Sequence, residues 1–216
     1  MIKAIIDRLD SWFGIKEPHK NFLARVLPEK INASYCLGGM AFTAFLVSLI
    51  TGLLLSVYYV PSAKEAYPSI EALNNKVWFG WGIRSIHKWS ASLLIIFVLL
   101  HAVRVFVHRA YRPPRELNWM AGAVGFVLVM ASGFTGYLLP WDQKAYWATV
   151  VGTSMSRTVP GAGPLIERLL RGGPDVAGAT LVRFYSLHVL WIPFGLMLVF
   201  WAHFHMVKRQ GISGGL

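Results

Sequence analysis

Seven histidines occur in this 216-residue chain, and four of them fall into two pairs on apolar stretches. His87 and His101 are 14 residues apart; His188 and His203 are 15 apart. On a helix rising about 1.5 Å per residue each pair spans roughly 21 Å, most of the roughly 30 Å hydrocarbon layer of a bilayer. At about 100° per residue, 14 steps return a side chain to within some 40° of its starting face and 15 steps to within some 60°, so modest tilt lets both members of a pair face one interior. Two such helices side by side offer two facing imidazole pairs, one near each membrane face. A neutral imidazole nitrogen is a good iron ligand and a bundle core is a dry, shaped cavity, so the pattern predicts two stacked haem sites. A lone histidine on an apolar face is more commonly a hydrogen-bonded packing residue. Ionisable groups in spans are expensive, however, and four at matched depth favour ligation.

Glycines repeat the spacing. Gly38 and Gly52, and again Gly122 and Gly136, are 14 residues apart, which close contact between a flat macrocycle and a backbone without side chains would demand. Helix packing through small residues is the alternative source of such a pattern. Arg84 precedes His87 by three residues and Arg183 precedes His188 by five, where the propionates of one haem would end; Arg104 and Arg115 are similarly placed for the other. Guanidinium geometry suits a carboxylate, although snorkelling to lipid headgroups would place arginines there too.

The elements that must carry these residues are membrane helices. The chain is 55% hydrophobic and 14% charged, with mean hydropathy +0.49, outside the soluble globular range. Ile31 to Ala63, Leu117 to Trp141 and Phe184 to Val207 lack any formal charge, as does Trp89 to Val103, which the apolar run Val77 to Ile83 extends. These predict an all-α, four-helix membrane bundle with spans at 34–60, 79–107, 116–138 and 181–206. Lys3, Arg8, Lys16, Lys20, Arg25 and Lys30, then Arg109, Arg112 and Arg115, then Lys208 and Arg209 all fall on one side of that topology. The positive-inside tendency makes that side, with both termini, cytoplasmic. The net charge of +11 is thereby a topology signal with anionic lipid contact as its extension, and nucleic acid is excluded as a partner because the basic residues flank spans. A single cysteine, Cys36, excludes an internal disulfide and any multi-cysteine metal site; by itself it reads as a small buried hydrophobe.

Residues 1–30 form a tail in which Ile2, Ile5, Ile6, Leu9, Trp12 and Phe13 follow helical periodicity. They predict an amphipathic helix over 2–14, lying on the membrane surface or packed on a soluble partner, ahead of a 31–216 bundle domain. No cleavable leader is expected. The long outer loop between helices three and four, 139–180, is too long for a plain connector; Pro164 to Leu170 within it reads as a short helix able to roof a lipid-soluble substrate. No internal repeat is expected.

The segments YCLGG (35–39), RSIHKWSASLL (84–94), RPPRELNW (112–119), GFTGYLLPWDQ (133–143), RFYSLHVL (183–190) and the terminal KRQGISGGL resemble the cytochrome b6-type cytochrome b subunits of b6f and related bacterial bc complexes, nearly end to end. The 15-residue spacing on the fourth helix is similar to this branch, the mitochondrial type having one residue fewer. Lys144 and the YYVP turn (58–61) resemble bacterial menaquinol-oxidising members. The resemblance implies two haem b groups, one held by His87 and His188 near the outer face and one by His101 and His203 near the cytoplasmic face. It also implies a third, c-type haem bonded to Cys36 through one thioether. Lys208 stands where the family commonly has a propionate-binding arginine, Arg209 following it instead of preceding it. His205, like His19 and His108, falls outside the ligand set.

The implied function is the electron-transfer core of a quinol:cytochrome c or plastocyanin oxidoreductase in a bacterial cytoplasmic or thylakoid membrane, passing electrons from quinol oxidation at the outer face to quinone at the other, with proton translocation. The implied partners are a three-helix subunit IV-like protein that completes the quinol pocket, a Rieske iron-sulfur protein and a c-type cytochrome, in a dimer of complexes. The residues alone leave open a dihaem membrane anchor of a dehydrogenase or hydrogenase, or a non-redox protein whose histidines relay protons.

Overall fold

A computed structural model describes residues 32–211; the amphipathic helix expected over 2–14 lies outside them. A 3-10 turn, Ala33–Cys36, leads into α1 (Leu37–Ser56); α2 (Ala66–Lys76) follows, then α3 (Gly80–Val107) and α4 (Glu116–Leu138). Beyond come α5 (Gln143–Ser156), α6 (Gly163–Arg171) and α7 (Gly178–Ser186), which runs through a π-helical segment, Leu187–Trp191, into α8 (Ile192–Gln210). Four helices are long and apolar enough to cross a membrane: Ala33–Ser56, Gly80–Val107, Glu116–Leu138 and Gly178–Gln210. The first is shorter than expected, because the chain turns at Val57 and Tyr58 ahead of Pro61. The fourth is longer, because α7 continues into it.

Local chemistry sets the boundaries. Asp142 caps α5, its Oδ1 accepting from the Ala145 amide at 2.8 Å, and Gly172 ends α6 in the left-handed region at φ 76°. The helix expected over 164–170 is α6, whereas α2 and α5 were not foreseen: both lack a clear apolar stripe. Arg171 ties this region together. It pairs with Glu167 at 2.9 Å and donates to Thr153 Oγ1 at 2.8 Å, and its own carbonyl accepts from Thr180 Oγ1 at 2.7 Å. The connector is therefore folded structure.

The spans associate as two close pairs, α1 with α3 and α4 with α8. The histidine-bearing helices α3 and α8 each lie against a glycine-bearing helix, α1 and α4. Midway along the bundle the pairs meet through an apolar layer of Phe45, Leu94, Val129, Ile192 and Leu196. Phe42, Phe45, Phe200 and Phe204 join α1 to α8 through edge-on ring contacts, Phe42 to Phe204 at 4.9 Å and Phe45 to Phe200 at 5.0 Å.

Candidate functional site

Two tiers of facing imidazoles lie on either side of that apolar layer. The ring centroids of His87 and His188 are 6.2 Å apart and those of His101 and His203 are 6.4 Å apart, both with planes at 82°. The two spacings, 14 and 15, thus produce matched tiers, and the π segment explains how. In it the Ile192 amide bonds to the Leu187 carbonyl, five residues back, a bulge that absorbs one extra residue within a helix. Pro193 supplies a local reason, since it has no N–H to give the Val189 carbonyl four residues earlier and its ring crowds that carbonyl.

Each imidazole is seated on a glycine of the neighbouring helix. A Cβ at Gly136 would stand 2.6 Å from His188 Cε1; at Gly52, 3.1 Å from His87 Cε1; at Gly38, 3.1 Å from His101 Cε1; and at Gly122, 3.4 Å from His203 Cε1. The glycine spacing therefore follows the histidine spacing for a more immediate reason than contact with a macrocycle: the ring edge occupies the place of the missing side chain.

Beside three of the glycines, the carbonyl four residues earlier accepts from the ring. Nδ1 lies 3.0 Å from Ser48 O in His87, 3.0 Å from Ser132 O in His188 and 3.1 Å from Asn118 O in His203. A carbonyl can only accept, so each Nδ1 carries the proton and each Nε2 keeps its lone pair. Thr51 and Thr135 hydroxyls add contacts to His87 and His188 at 3.1 and 3.2 Å. These residues form a repeat, S-x-x-T-G, at 48–52 and 132–136. Matching the segments that precede each spaced glycine finds this short motif in the sequence.

The tier of His101 and His203 is finished differently. His101 Nδ1 is buried with no hydrogen-bond partner among the described residues, and so are Tyr35 OH, Arg104 Nε and Nη2, Arg115 Nε, Asn118 Oδ1 and Gln210 Oε1. Arg104 lies over the Tyr35 ring, 3.7 Å from its centroid, and Arg115 Nη2 donates to the Gln210 carbonyl at 3.3 Å. At the other end Arg84 and Arg183 are exposed, Arg183 donating to the Ala179 carbonyl at 3.2 Å. Lys208 is exposed and lines a groove between α1 and α8 with Phe42, Phe204 and His205.

Cys36 is exposed, which corrects the buried position that its residue type alone suggests. It ends the 3-10 turn and opens on a groove of about 900 Å³ along α1 and α3, with Tyr35, Met40 and Trp89 among its lining. His205 stacks on Trp201 at 5.9 Å, away from the tiers, and His108 bonds the Arg104 carbonyl at 3.0 Å. His19 lies outside the described residues. Among the described residues no group of three or more His, Cys, Asp or Glu side chains could hold a metal ion.

The family described as Cytochrome b/b6/petB matches residues 22–211. A "Menaquinol:cytochrome c reductase cytochrome b subunit" from Geobacillus thermodenitrificans is 42% identical over 224 aligned residues, covering all of both chains. A cytochrome b6 from Synechococcus elongatus is 43% identical over 215 residues, covering 98% of this chain and all of the relative. Among solved structures, a chain of a "Hyperthermophilic respiratory Complex III" superposes with TM-score 0.88 at 28% identity, covering 97% of this chain and 56% of that one. This chain thus spans little more than half of that neighbour's length.

Proposed function

The chain belongs to the cytochrome b/b6 family, and from that premise we propose that it is the dihaem electron-transfer subunit of a quinol-oxidising complex of the bc/b6f type. The observation that carries the proposal is the separation of the imidazole pairs. A five-membered ring with bonds of about 1.33 Å has a radius of about 1.1 Å, and a metal–imidazole bond is about 2 Å, so two rings on one metal have centroids about 6.3 Å apart. Centroids at 6.2 and 6.4 Å fit that value at both tiers. Two protein donors per tier, with no third among the described residues, suit a macrocyclic iron better than a bare ion.

His87 and His188 would hold one haem b, His101 and His203 the other; bound there, they supply one-electron carriers stacked across the membrane. The chain's own residues do the rest. Carbonyls at 48, 118 and 132 fix the tautomer and orientation of three ligands. Gly38, Gly52, Gly122 and Gly136 let the rings sit back against their neighbouring helices. The buried, unpaired guanidinium nitrogens of Arg104 and Arg115 suit the propionates of the His101–His203 haem, and exposed Arg84 and Arg183 those of the other, with Lys208 a further cationic contact. The apolar layer of Phe45, Leu94, Val129 and Leu196 keeps water and stray protons out between them.

Cys36, with an exposed thiol at the end of α1 nearer His101, supports a third, covalent haem there through one thioether. Quinol would be oxidised at the face where α5 and α6 lie, taken as the outer one, and quinone reduced at the other, cytoplasmic side. A three-helix subunit IV-like partner, a Rieske iron-sulfur protein and a c-type cytochrome complete the assembly, a dimer in the membrane. A reduced-minus-oxidised optical spectrum of the purified complex is expected to show b-type bands, with two haems b per chain by extraction; their absence overturns the proposal. Haem staining after denaturing electrophoresis is expected for the native chain and lost in Cys36→Ser with the b bands intact.

A further inference from the structure

We infer that Thr51 and Thr135 are positioning residues that set the reduction potential of the haem held by His87 and His188, an inference that rests on those histidines being axial ligands. Both threonines are buried, at 8% and 4% exposure. Each hydroxyl spends its one proton on its own helix: Thr51 Oγ1 lies 2.6 Å from the Val47 carbonyl and Thr135 Oγ1 lies 2.8 Å from that of Ala131. What each turns to the histidine is therefore a lone pair, 3.1 Å from His87 Nδ1 and 3.2 Å from His188 Nδ1. Since Ser48 O and Ser132 O already accept from the same nitrogens, each Nδ1–H is shared between two oxygens.

Back-bonding of a threonine hydroxyl to the carbonyl four residues earlier is common in membrane helices and needs no ligand. What distinguishes this pair is the second contact, made to a ligand on another helix, twice, within the same S-x-x-T-G frame. The other tier lacks it. The residues just before Gly38 and Gly122 are Leu37 and Ala121; His203 Nδ1 has Asn118 O at 3.1 Å, and His101 Nδ1 has no partner among the described residues.

Acceptors on the distal nitrogen draw its proton away from the ring and make the ligating nitrogen a stronger donor, which stabilises the ferric state. These acceptors lower the potential of the His87–His188 haem relative to a tier without them. The hydroxyls supply part of that difference.

The test is a redox titration of the purified complex, wild type against Thr51→Val and Thr135→Val, which keep volume and remove the hydroxyl, and against Thr51→Ser and Thr135→Ser, which restore it. Of the two one-electron steps, that of the His87–His188 haem is expected to move up in each valine variant while the other stays. At fixed ambient potential the oxidised-to-reduced ratio of that haem should fall about two- to tenfold, the range that one net hydrogen bond covers. The serine variants should return it. The inference is overturned if neither step moves, if both move together, or if valine and serine variants alike lose this haem, which would make the role one of packing. A wild-type complex without b haems would sink the axial-ligand reading instead, so the two failures are distinct.

Discussion

The two imidazole tiers share a ring geometry and differ in how the chain finishes them. Around His87 and His188 the protein satisfies itself: each Nδ1 has a carbonyl and a hydroxyl, and the nearby arginines reach solvent. Around His101 and His203 buried polar atoms of Tyr35, Arg104, Arg115, Asn118 and Gln210 have no hydrogen-bond partner among the described residues. A buried donor left unpaired costs about 1–3 kcal/mol, more when charged, so a chain would not retain several in one place for packing alone. On the proposed reading, one tier would be a socket for a ligand's iron, while the other would also be built around the polar periphery of what binds it. The cysteine lies toward this second end, which makes it the more elaborate half of the bundle.

The harshest way to break the comparison is to remove one ligand. His101→Leu is expected to abolish the haem of its own tier and leave that of His87 and His188, halving the b haem extracted per chain; retention of both would disprove the assignment. Next comes the pairing of unequal spacings. Deleting Leu190 should convert the π segment to α-helix, give the fourth span a 14-residue interval and keep both haems, because the bulge exists to absorb one residue. Deleting Ile96 between His87 and His101 has no bulge to consume, rotates one ligand by about 100° and should cost one haem. Equal losses from the two deletions would refute the bulge as the reason that spacings of 14 and 15 match.

Glycine substitutions sharpen the picture within each tier. Gly136→Ala should lower haem occupancy most, since its Cβ would stand 2.6 Å from Cε1 of a ring whose Nδ1 is held by two oxygens, and Gly122→Ala least, at 3.4 Å. Gly52→Ala and Gly38→Ala, both at 3.1 Å, should fall between. Pyridine haemochrome content of the four variants gives the ranking, and a flat series would show that the seats are not tight.

Much of this was legible in the residues. Charge-free stretches locate four spans because burying a charge in lipid is so costly that apolar runs are unambiguous, and the histidine spacing on two of them announces matched depth. The glycine pattern was legible as a spacing but not as a cause: a sequence shows that Gly52 repeats Gly38, and only coordinates show His87 lying over it. The helices α2 and α5 were missed because short segments between membrane spans are held by caps and by contacts from distant residues, such as Arg171 reaching Thr153. The exposure of Cys36 was misjudged on residue type because cysteine's usual burial reflects average packing, whereas here the thiol ends a turn at the edge of a groove. Tyr35, Asn118 and Gln210 lie inside segments that carry the family resemblance, but nothing in their types or spacing marks them as site residues until three elements bring them to one end.

The smallest expected effect lies outside both tiers and tests whether the folded connectors matter to the first of them. Tyr59 donates its hydroxyl to the Leu139 carbonyl at 2.6 Å and stacks on Tyr185 with centroids 5.4 Å apart. It thereby ties the turn after α1 to the end of α4 and to α7, the helix leading into the His188 segment. Burial, with Tyr185 beside it, holds the Tyr59 phenol above its ordinary value, so the hydroxyl stays protonated and the strap does not respond to pH across the neutral range. Tyr59→Phe keeps the stacking and removes one hydrogen bond, which should lower stability by about 1 kcal/mol and leave the absorbance spectra of both haems unchanged. A thermal melt followed by loss of the b-type Soret band would detect it. If the melt is unaltered, the strap is ornamental; if the His87–His188 haem alone is released early, the turn is part of what keeps that tier closed, and the self-sufficiency ascribed to it extends beyond the two helices that bear its ligands.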